Sequence, residues 1–282
     1  MNNWNLQKYI QDSLVEDIAQ GDITSEACIS DTSRSRAKLL IKDDGVLSGV
    51  AFAKSVFHQV DPSMVFTPYL KDGDLIKYGQ IAFEIEGKTR DLLKTERLVL
   101  NVMQRMSGIS TLSYRYASEL QGLSTKILDT RKTTPLNRYI EKWAVRIGGC
   151  YNYRNGLYDR YMIKDNHIEA CGSISKSIKA VLKHQEETNR KAYEITIEVK
   201  NLVELEEVLN IGKINRIMFD NFEIPLLKEA ILMTKKRFET EASGGVNLET
   251  LRQIALTGVD FISVGALTHS AGSLDLSLKI HR

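Results

Sequence analysis

Residues 195–220, ITIEVKNLVELEEVLNIGKINRIMFD, decide the fold class of this chain. A short apolar run, Ile195 to Val199, gives way to a helical stretch, Leu202 to Leu209, and then to a second run, Arg216 to Phe219. Short apolar runs alternating with helices are the sequence form of βα units, whose strands lie parallel because each helix carries the chain back across the sheet. The beat recurs on both sides. Further strand candidates are Lys126 to Leu128, Tyr161 to Ile163, Phe238 to Ala242 and Phe261 to Val264. Further helices are Leu136 to Ile147, Ser173 to Gln185, Pro225 to Lys235 and Leu248 to Leu256. The repetition predicts a mostly parallel sheet of the α/β barrel kind.

Upstream the rhythm differs. Trp4 to Ala19 places Leu6, Tyr9, Ile10, Leu14, Val15 and Ile18 near helical spacing and reads as an amphipathic helix stopping at Gly21. Short β-like runs follow at Ala37 to Ile41, Gly45 to Val50 and Ile81 to Ile85, with a helix near Ala51 to Val60. That mixture predicts an α+β domain. Thr89 to Gln121 is rich in helix formers and is the expected bridge between domains, broken into two pieces at Ser107-Gly108. The tail from Gly272 alternates Leu274, Leu276, Leu278 and Ile280, as a strand returning to the first domain does.

Length and charge narrow the classes of function. The 282 residues suffice for two domains or one large barrel. A formal charge of +2, with acids and bases interspersed, gives no global field for nucleic acid or membrane, so any cationic site is local. Cys28, Cys150 and Cys171 are odd in number and widely spaced, which suits reduced thiols in the cytoplasm. The start, MNNWNLQKYIQDSL, has no apolar signal core, and no run approaches the roughly 18 apolar residues of a membrane span.

The polar residues collect at one end of the βα units. Asp129, Arg131 and Lys132 follow the first strand, Lys164 to His167 the second, Glu198 closes the third and Asp220-Asn221 the fourth. In a parallel barrel these ends meet at a single mouth. A charged residue after a strand is otherwise a helix cap or a solvated loop, but here carboxylates, amines and glycines gather together. Ser243-Gly244-Gly245 and Gly265 close the last two strands, where exposed backbone N–H groups suit phosphate; taken singly they are only tight turns. Arg131, Lys132, Arg154 and Lys164 suit anions. Lys164 also admits a Schiff-base reading of the aldolase type. Glu198 and Asp220 suit sugar hydroxyls and Mg²⁺, or else a structural ion pair with a lysine. His167 and His269 are weaker signals.

These residues sit in motifs that resemble the quinolinate phosphoribosyltransferase family, also called nicotinate-nucleotide pyrophosphorylase (carboxylating). The resemblance runs nearly end to end: Glu16-Asp17 with Gly21-Asp-Ile-Thr, Asp43-Asp-Gly-Val-Leu-Ser-Gly, Glu96-Arg97 with Asn101, and Gln104-Arg-Met-Ser-Gly-Ile-Ser-Thr. It continues through Asp129-Thr-Arg-Lys-Thr-Thr-Pro, Gly156-Leu-Tyr-Asp, Ile163-Lys-Asp-Asn-His-Ile, Asp220-Asn, Glu241-Ala-Ser-Gly-Gly and Gly265-Ala-Leu-Thr-His-Ser. It implies an α/β protein: an incomplete α/β barrel over residues 116–267, and an N-terminal α/β sandwich over 1–115 completed by the tail, 268–282. It implies transfer of phosphoribosyl from 5-phosphoribosyl-1-pyrophosphate to quinolinate with decarboxylation, Mg²⁺ bound mainly with the pyrophosphate substrate, and a homodimer in which Arg97 acts in the neighbour's site. Carried over residue by residue, Arg131, Arg154 and Lys164 resemble the binders of the quinolinate carboxylates, with Lys132 nearby. Glu198 and Asp220 resemble the residues that hold ribose and metal; Ser243, Gly244, Gly265 and His269 resemble the phosphate segments. The catalytic set implied is Lys132, Lys164, Glu198 and Asp220, with Tyr153 bordering the ring.

The chain departs from the family pattern at Tyr153, typically histidine; at Leu136-Asn137, usually Gly-Leu; at Cys150, usually glycine; and at Thr196 and Lys200, which flank Glu198 where acids are common. A phenol can donate a hydrogen bond to a carboxylate but carries no positive charge near neutral pH. Rival readings are a scaffold relative acting on another anion, including the homologue associated with molybdenum transport, and a non-catalytic phosphosugar-binding regulator.

Overall fold

The computed structural model describes residues 4–281, so the expected domain ends at 1–3 and 282 lie outside the described residues. In chain order the elements are α1 (Leu6–Ile18), α2 (Ile23–Cys28), β1 (Arg34–Ile41), β2 (Gly45–Val46), α3 (Val50–Val60), β3 (Val65–Pro68), β4 (Leu75–Ile76), β5 (Ile81–Lys88) and α4 (Thr89–Glu119). There follow β6 (Lys126–Leu128), α5 (Arg138–Ile147), β7 (Tyr161–Ile163), α6 (Asp165–Cys171), α7 (Ile174–Glu187), β8 (Ile195–Val199), α8 (Leu202–Ile211) and β9 (Arg216–Asp220). The last are α9 (Ile224–Thr234), β10 (Glu239–Ser243), α10 (Leu248–Ala255), β11 (Phe261–Ser263), α11 (Ala266–His269) and β12 (Leu276–His281). The chain forms two compact units: residues 1–114 with 134–149 and 271–282, and residues 115–133 with 150–270.

In the first unit, an antiparallel sheet runs in the order β12-β1-β5-β3. β1 alternates exposed and buried side chains, which puts Ala37, Leu39 and Ile41 into the core, and β12 answers with Leu276 and Leu278. The register sets Leu39 opposite Leu278, so the tail does return as the fourth strand. α1 starts where the Asn5 side chain accepts from the Lys8 N–H at 3.1 Å, and buries Ile10 and Leu14. The strand expected over Gly45 to Val50 shortens to Gly45–Val46, because Gly49, at φ 99°, turns the chain and Val50 already begins α3.

Ser107-Gly108 does not break the bridging helix; α4 is continuous. Ser107 Oγ donates to Ser48 O at 3.1 Å and accepts from Ser48 N at 2.9 Å, tying the helix to the β2–α3 turn. A Cβ on Gly108 would stand 1.9 Å from the carbonyl oxygen of Gly272. The glycine therefore serves close backbone packing. Alanine is the better helix former by about 1 kcal/mol, but here its methyl meets backbone that cannot swing aside, and overpacking of that kind costs about 1–3 kcal/mol or more. Gly108→Ala is expected to lower the urea midpoint; an unchanged or higher midpoint would refute the packing role.

Residues 134–149, including α5, cluster with this unit and not with the barrel as the sequence suggested. Tertiary contacts decide it: Ser110 Oγ donates to Ala144 O at 2.8 Å, Arg105 pairs with the fully buried Glu141 at 2.9 Å, and Tyr9 Oη donates to Asn137 Oδ1 at 3.0 Å.

In the second unit all six strands are parallel, in the order β6-β11-β10-β9-β8-β7. On the other side of β6, Leu128 forms an isolated parallel bridge to Tyr151, so the chain at 151 adds a one-residue stave. Around the ring the order is β6, the 151 stave, β7, β8, β9, β10 and β11. Strand pairing is missing between the 151 stave and β7, which makes this an incomplete barrel. Its core is dominated by β-branched and aromatic side chains, with Ile197, Ile217, Phe219 and Ile262 fully buried. Among the described residues no helix is long and apolar enough to cross a membrane, and none of the three cysteines is in a disulfide.

Candidate active site

The C-terminal ends of the barrel strands line a cavity of about 720 Å³. Its lining divides into three arcs that follow the strand order. The cationic arc comes from β6 (Arg131, Lys132), the 151 stave (Arg154) and β7 (Lys164). The carboxylates Glu198 and Asp220 come from β8 and β9, and the small residues Ser243, Gly244, Gly245 and Gly265 with His269 follow β10 and β11. Every expected site residue is thus brought together except Arg97. That arginine belongs to the first unit, on α4, and lines a separate cleft with Trp4, Asp12, Glu16 and Asn101.

In the cationic arc, Arg154 is 8% exposed, and its Nε donates to Gly156 O at 2.9 Å. Burial, and then the nearby Arg131 guanidinium, push its own guanidinium down from the ordinary arginine range. Two guanidinium groups held this close favour an anion between or beside them. Lys164 Nζ donates to Glu198, which is almost buried while the lysine is nearly half exposed. The ion pair considered as an alternative from sequence therefore exists, and it joins two expected site residues across neighbouring strands. His167 Nδ1 accepts from Lys164 N at 3.0 Å, capping α6, so its role is local.

Asp220 is held at both oxygens: Ser243 Oγ donates to Oδ1 at 3.2 Å and Asn221 Nδ2 to Oδ2 at 2.9 Å. Asn221, at φ 55°, also donates its N–H to Ser243 O at 2.8 Å. Gly244 adopts φ 88°, and a Cβ there would lie 2.1 Å from Asn221 Oδ1. Only glycine fits, and the β10 turn stays open to the cavity. A Cβ on Gly265 would approach His269 Nε2 to 3.0 Å and Lys132 Cδ to 3.1 Å, so this glycine lets both side chains close on the turn.

Tyr153 lines the cavity, but its hydroxyl points into the barrel, within 2.7 Å of Thr196 Oγ1. The residue thus borders the cavity as expected, while its hydroxyl is engaged by Thr196. Its N–H donates to the fully buried Asp129 at 2.8 Å, and the guanidiniums of Arg160 and Arg216 lie over its ring at 4.2 and 4.5 Å. Burial, reinforced by Glu241, pushes the phenol up, so it stays protonated. Arg216 in turn donates to Glu239 at 2.7 Å and to the buried Glu241 at 3.0 Å. Sequence reading missed this support. Its signal was Arg216 at the head of an apolar run, with acids two apart, Glu239 and Glu241, on the next strand. Among the described residues no group of three or more His, Cys, Asp or Glu side chains is placed to hold a metal.

A parallel barrel with this mouth is of the class that holds phosphorylated, multiply charged reactants at the ends of its strands. Family comparison specifies it further. Residues 22–107 match the N-terminal domain of quinolinate phosphoribosyl transferase and residues 109–279 its C-terminal domain. The chain is similar to quinolinate phosphoribosyltransferase [decarboxylating] 1b of Nicotiana tabacum, with 43% identity across 98% of this chain and 83% of that one. To the probable nicotinate-nucleotide pyrophosphorylase [carboxylating] of Bacillus subtilis it is 40% identical across 99% of this chain and 95% of the other. The crystal structure of NadC from Streptococcus pyogenes superposes with a TM-score of 0.91 at 34% identity, covering 100% of this chain and 99% of that one. This chain belongs to the quinolinate phosphoribosyltransferase family.

Proposed function

We propose that the protein transfers phosphoribosyl from 5-phosphoribosyl-1-pyrophosphate to quinolinate, giving nicotinate mononucleotide, pyrophosphate and CO₂ in de novo NAD biosynthesis. The observation that carries this is the division of one mouth into a cationic arc, two carboxylates and two glycine turns, which matches a dicarboxylate, a ribose and a phosphate in turn. Arg131, Arg154 and Lys164, with Lys132 beside them, hold the quinolinate dianion. The backbone turns at Ser243-Gly244 and Gly265, with His269, receive the 5-phosphate. Glu198 and Asp220 orient the ribose and stabilise positive charge developing at C1.

The ring nitrogen of quinolinate forms a bond to C1 as the C1–oxygen bond breaks, its electrons leaving with pyrophosphate. The nitrogen is then quaternary, so the bond from C2 to its carboxylate breaks, releases CO₂ and leaves its electron pair at C2. We assign Lys164 as the donor of the proton that C2 takes up. To engage a substrate, Lys164 exchanges part of its bond to Glu198 for a carboxylate of quinolinate. The donor set of Glu198 and Asp220, with hydroxyl and amide groups beside it, is of the hard-oxygen kind that suits Mg²⁺. Glu198 and Asp220 would hold Mg²⁺ arriving with the pyrophosphate substrate, and the ion would supply charge neutralisation for the leaving group.

In this reading the enzyme works as a homodimer in the cytoplasm, with Arg97 serving the neighbour's mouth; three cysteines outside any disulfide accord with a reducing compartment. Its partners are small molecules, with neither nucleic acid nor membrane among them. Incubation with quinolinate, the activated sugar and Mg²⁺ is expected to yield CO₂ and nicotinate mononucleotide together. Equal use of nicotinate, without CO₂, would overturn the assignment of the acid.

A further inference from the structure

The pairing of β6 with β11 ends at Leu128 and Ser263, with one further backbone bond from Val264 N to Leu128 O at 2.9 Å. Beyond that point the two segments diverge. The one after β6 becomes the loop that carries Arg131 and Lys132, and the one after β11 becomes the Gly265 turn and α11. Thr268, on α11, joins them again. Its Oγ1 donates to Lys132 O at 2.8 Å and lies 3.3 Å from Gly265 O. A hydroxyl has one proton, and the shorter distance assigns it to Lys132 O. Thr268 is fully buried and lies outside the residues that line the mouth, so it acts from behind the surface that substrates meet.

Side-chain packing repeats the link. A Cβ on Gly265 would stand 3.1 Å from Lys132 Cδ, so the lysine stem already lies against the β11 turn. Lys132 is otherwise an exposed residue on a loop, and lysine is among the side chains that lose most rotamer freedom when ordered. The bonds of the loop itself, Thr133 N to Arg131 O at 2.9 Å and Lys132 N to Thr130 Oγ1 at 3.1 Å, fold it locally. They do not fix its place relative to β11. The Thr268 bond does, and it sets the backbone from which the amine extends where the cationic arc meets the β11 turn. Valine has nearly the same shape and avoids the cost of burying a hydroxyl, so what threonine adds at this buried position is the bond.

We propose that Thr268 is a positioning residue for the transfer reaction: its buried hydroxyl holds the Lys132 carbonyl to the β11 turn and so preorganises the Lys132 amine for the anions that occupy the mouth. Thr268 touches no substrate itself. A lysine placed before binding loses less freedom on binding, and the gain appears as affinity and orientation. This rests on the phosphoribosyl-transfer reading above.

The test is a kinetic double-mutant cycle on the full chain with Thr268→Val, Lys132→Ala and both together, and with Thr268→Ser as the conservative variant. Thr268→Val is expected to lower kcat/KM for quinolinate, at saturating activated sugar, by about five- to tenfold, the scale of one well-made hydrogen bond. Thr268→Ser keeps the hydroxyl and is expected to stay within about threefold of wild type. In the Lys132→Ala background, Thr268→Val is expected to change kcat/KM by less than about twofold, because the group through which it acts is gone. A merely structural role would carry the full loss into that background, since a disturbed α11 does not depend on the lysine side chain. Such additivity overturns the proposal, as do wild-type kinetics in Thr268→Val or a Thr268→Ser protein as impaired as Thr268→Val. Should Thr268→Val fail to fold, Thr268→Ala takes its place against Thr268→Ser, since those two differ by the hydroxyl alone. Should Lys132→Ala be too slow to assay, the same cycle is read on the dissociation constant of inorganic pyrophosphate by calorimetry. Non-additivity is expected there too, and additive losses, or no binding to wild type, overturn the positioning role. A wild type that binds pyrophosphate yet turns over no quinolinate sinks the reaction reading, while the pyrophosphate cycle still decides Thr268.

Discussion

Lys164→Ala is expected to lower kcat/KM for quinolinate by about a hundredfold or more, the scale seen when a preorganised charge partner is removed from a site. Two effects act in the same direction. The dianion loses a cationic contact, and Glu198, 8% exposed at its side chain, loses the ammonium that neutralises it. An unpaired carboxylate at the mouth then repels the incoming acid. Arg131→Ala is expected to fall in the same range, because Arg131 lies close enough to Arg154 to depress its guanidinium and the two share the anion's charge. Steady-state kinetics on both variants, with circular dichroism to check folding, make the measurement. Wild-type rates in both would exclude the anion pocket.

The second large effect concerns stability. Arg216→Leu is expected to cost about 3–5 kcal/mol at neutral pH, the usual result of stranding one partner of a buried ion pair. Glu241 is fully buried, and besides Arg216 its carboxylate accepts from Ser263 Oγ at 2.5 Å. The sign with pH follows from burial, which already raises the Glu241 carboxyl against the lowering pull of Ser263 and Arg216. Without Arg216 it rises further. An acid whose folded-state pKa is raised favours the folded state below its ordinary value of 4.5, and that advantage is lost as pH climbs through the folded value. The penalty of Arg216→Leu should therefore shrink in acid and grow as pH rises. Urea unfolding at several pH values measures it; a penalty that grows in acid would contradict the buried-carboxylate account.

Much of the barrel was legible in the sequence because its strands are brief apolar runs bounded by polar residues, and β6, β7 and β8 fall where the runs do. The mouth was legible for a related reason: chemistry-bearing residues stand at the C-terminal ends of those runs, and parallel topology leaves them one place to meet. What escaped depends on partners distant in sequence. The 151 stave rests on a single bridge to Leu128 and has no apolar run to announce it. α2 is a short helix set by the Asp22 cap, whose side chain accepts from Ser25 N at 3.1 Å, and α6 was read only as a cluster of polar site residues. Gly108 carries the usual mark of a helix break, and only the proximity of Gly272 reveals its packing role. Tyr153 was legible as a departure, and Thr196 as another; their contact was not.

The antiparallel pairing of β12 with β1 has a consequence for the order in which the protein can be completed. A ribosome delivers β1 early and residues 276–281 more than two hundred positions later. Until they arrive, the edge of β1 that β12 will occupy keeps its backbone donors and acceptors open to solvent and to other nascent chains. The first unit to begin emerging is thus among the last to be finished, and shielding that edge during synthesis falls to whatever attends the growing polypeptide.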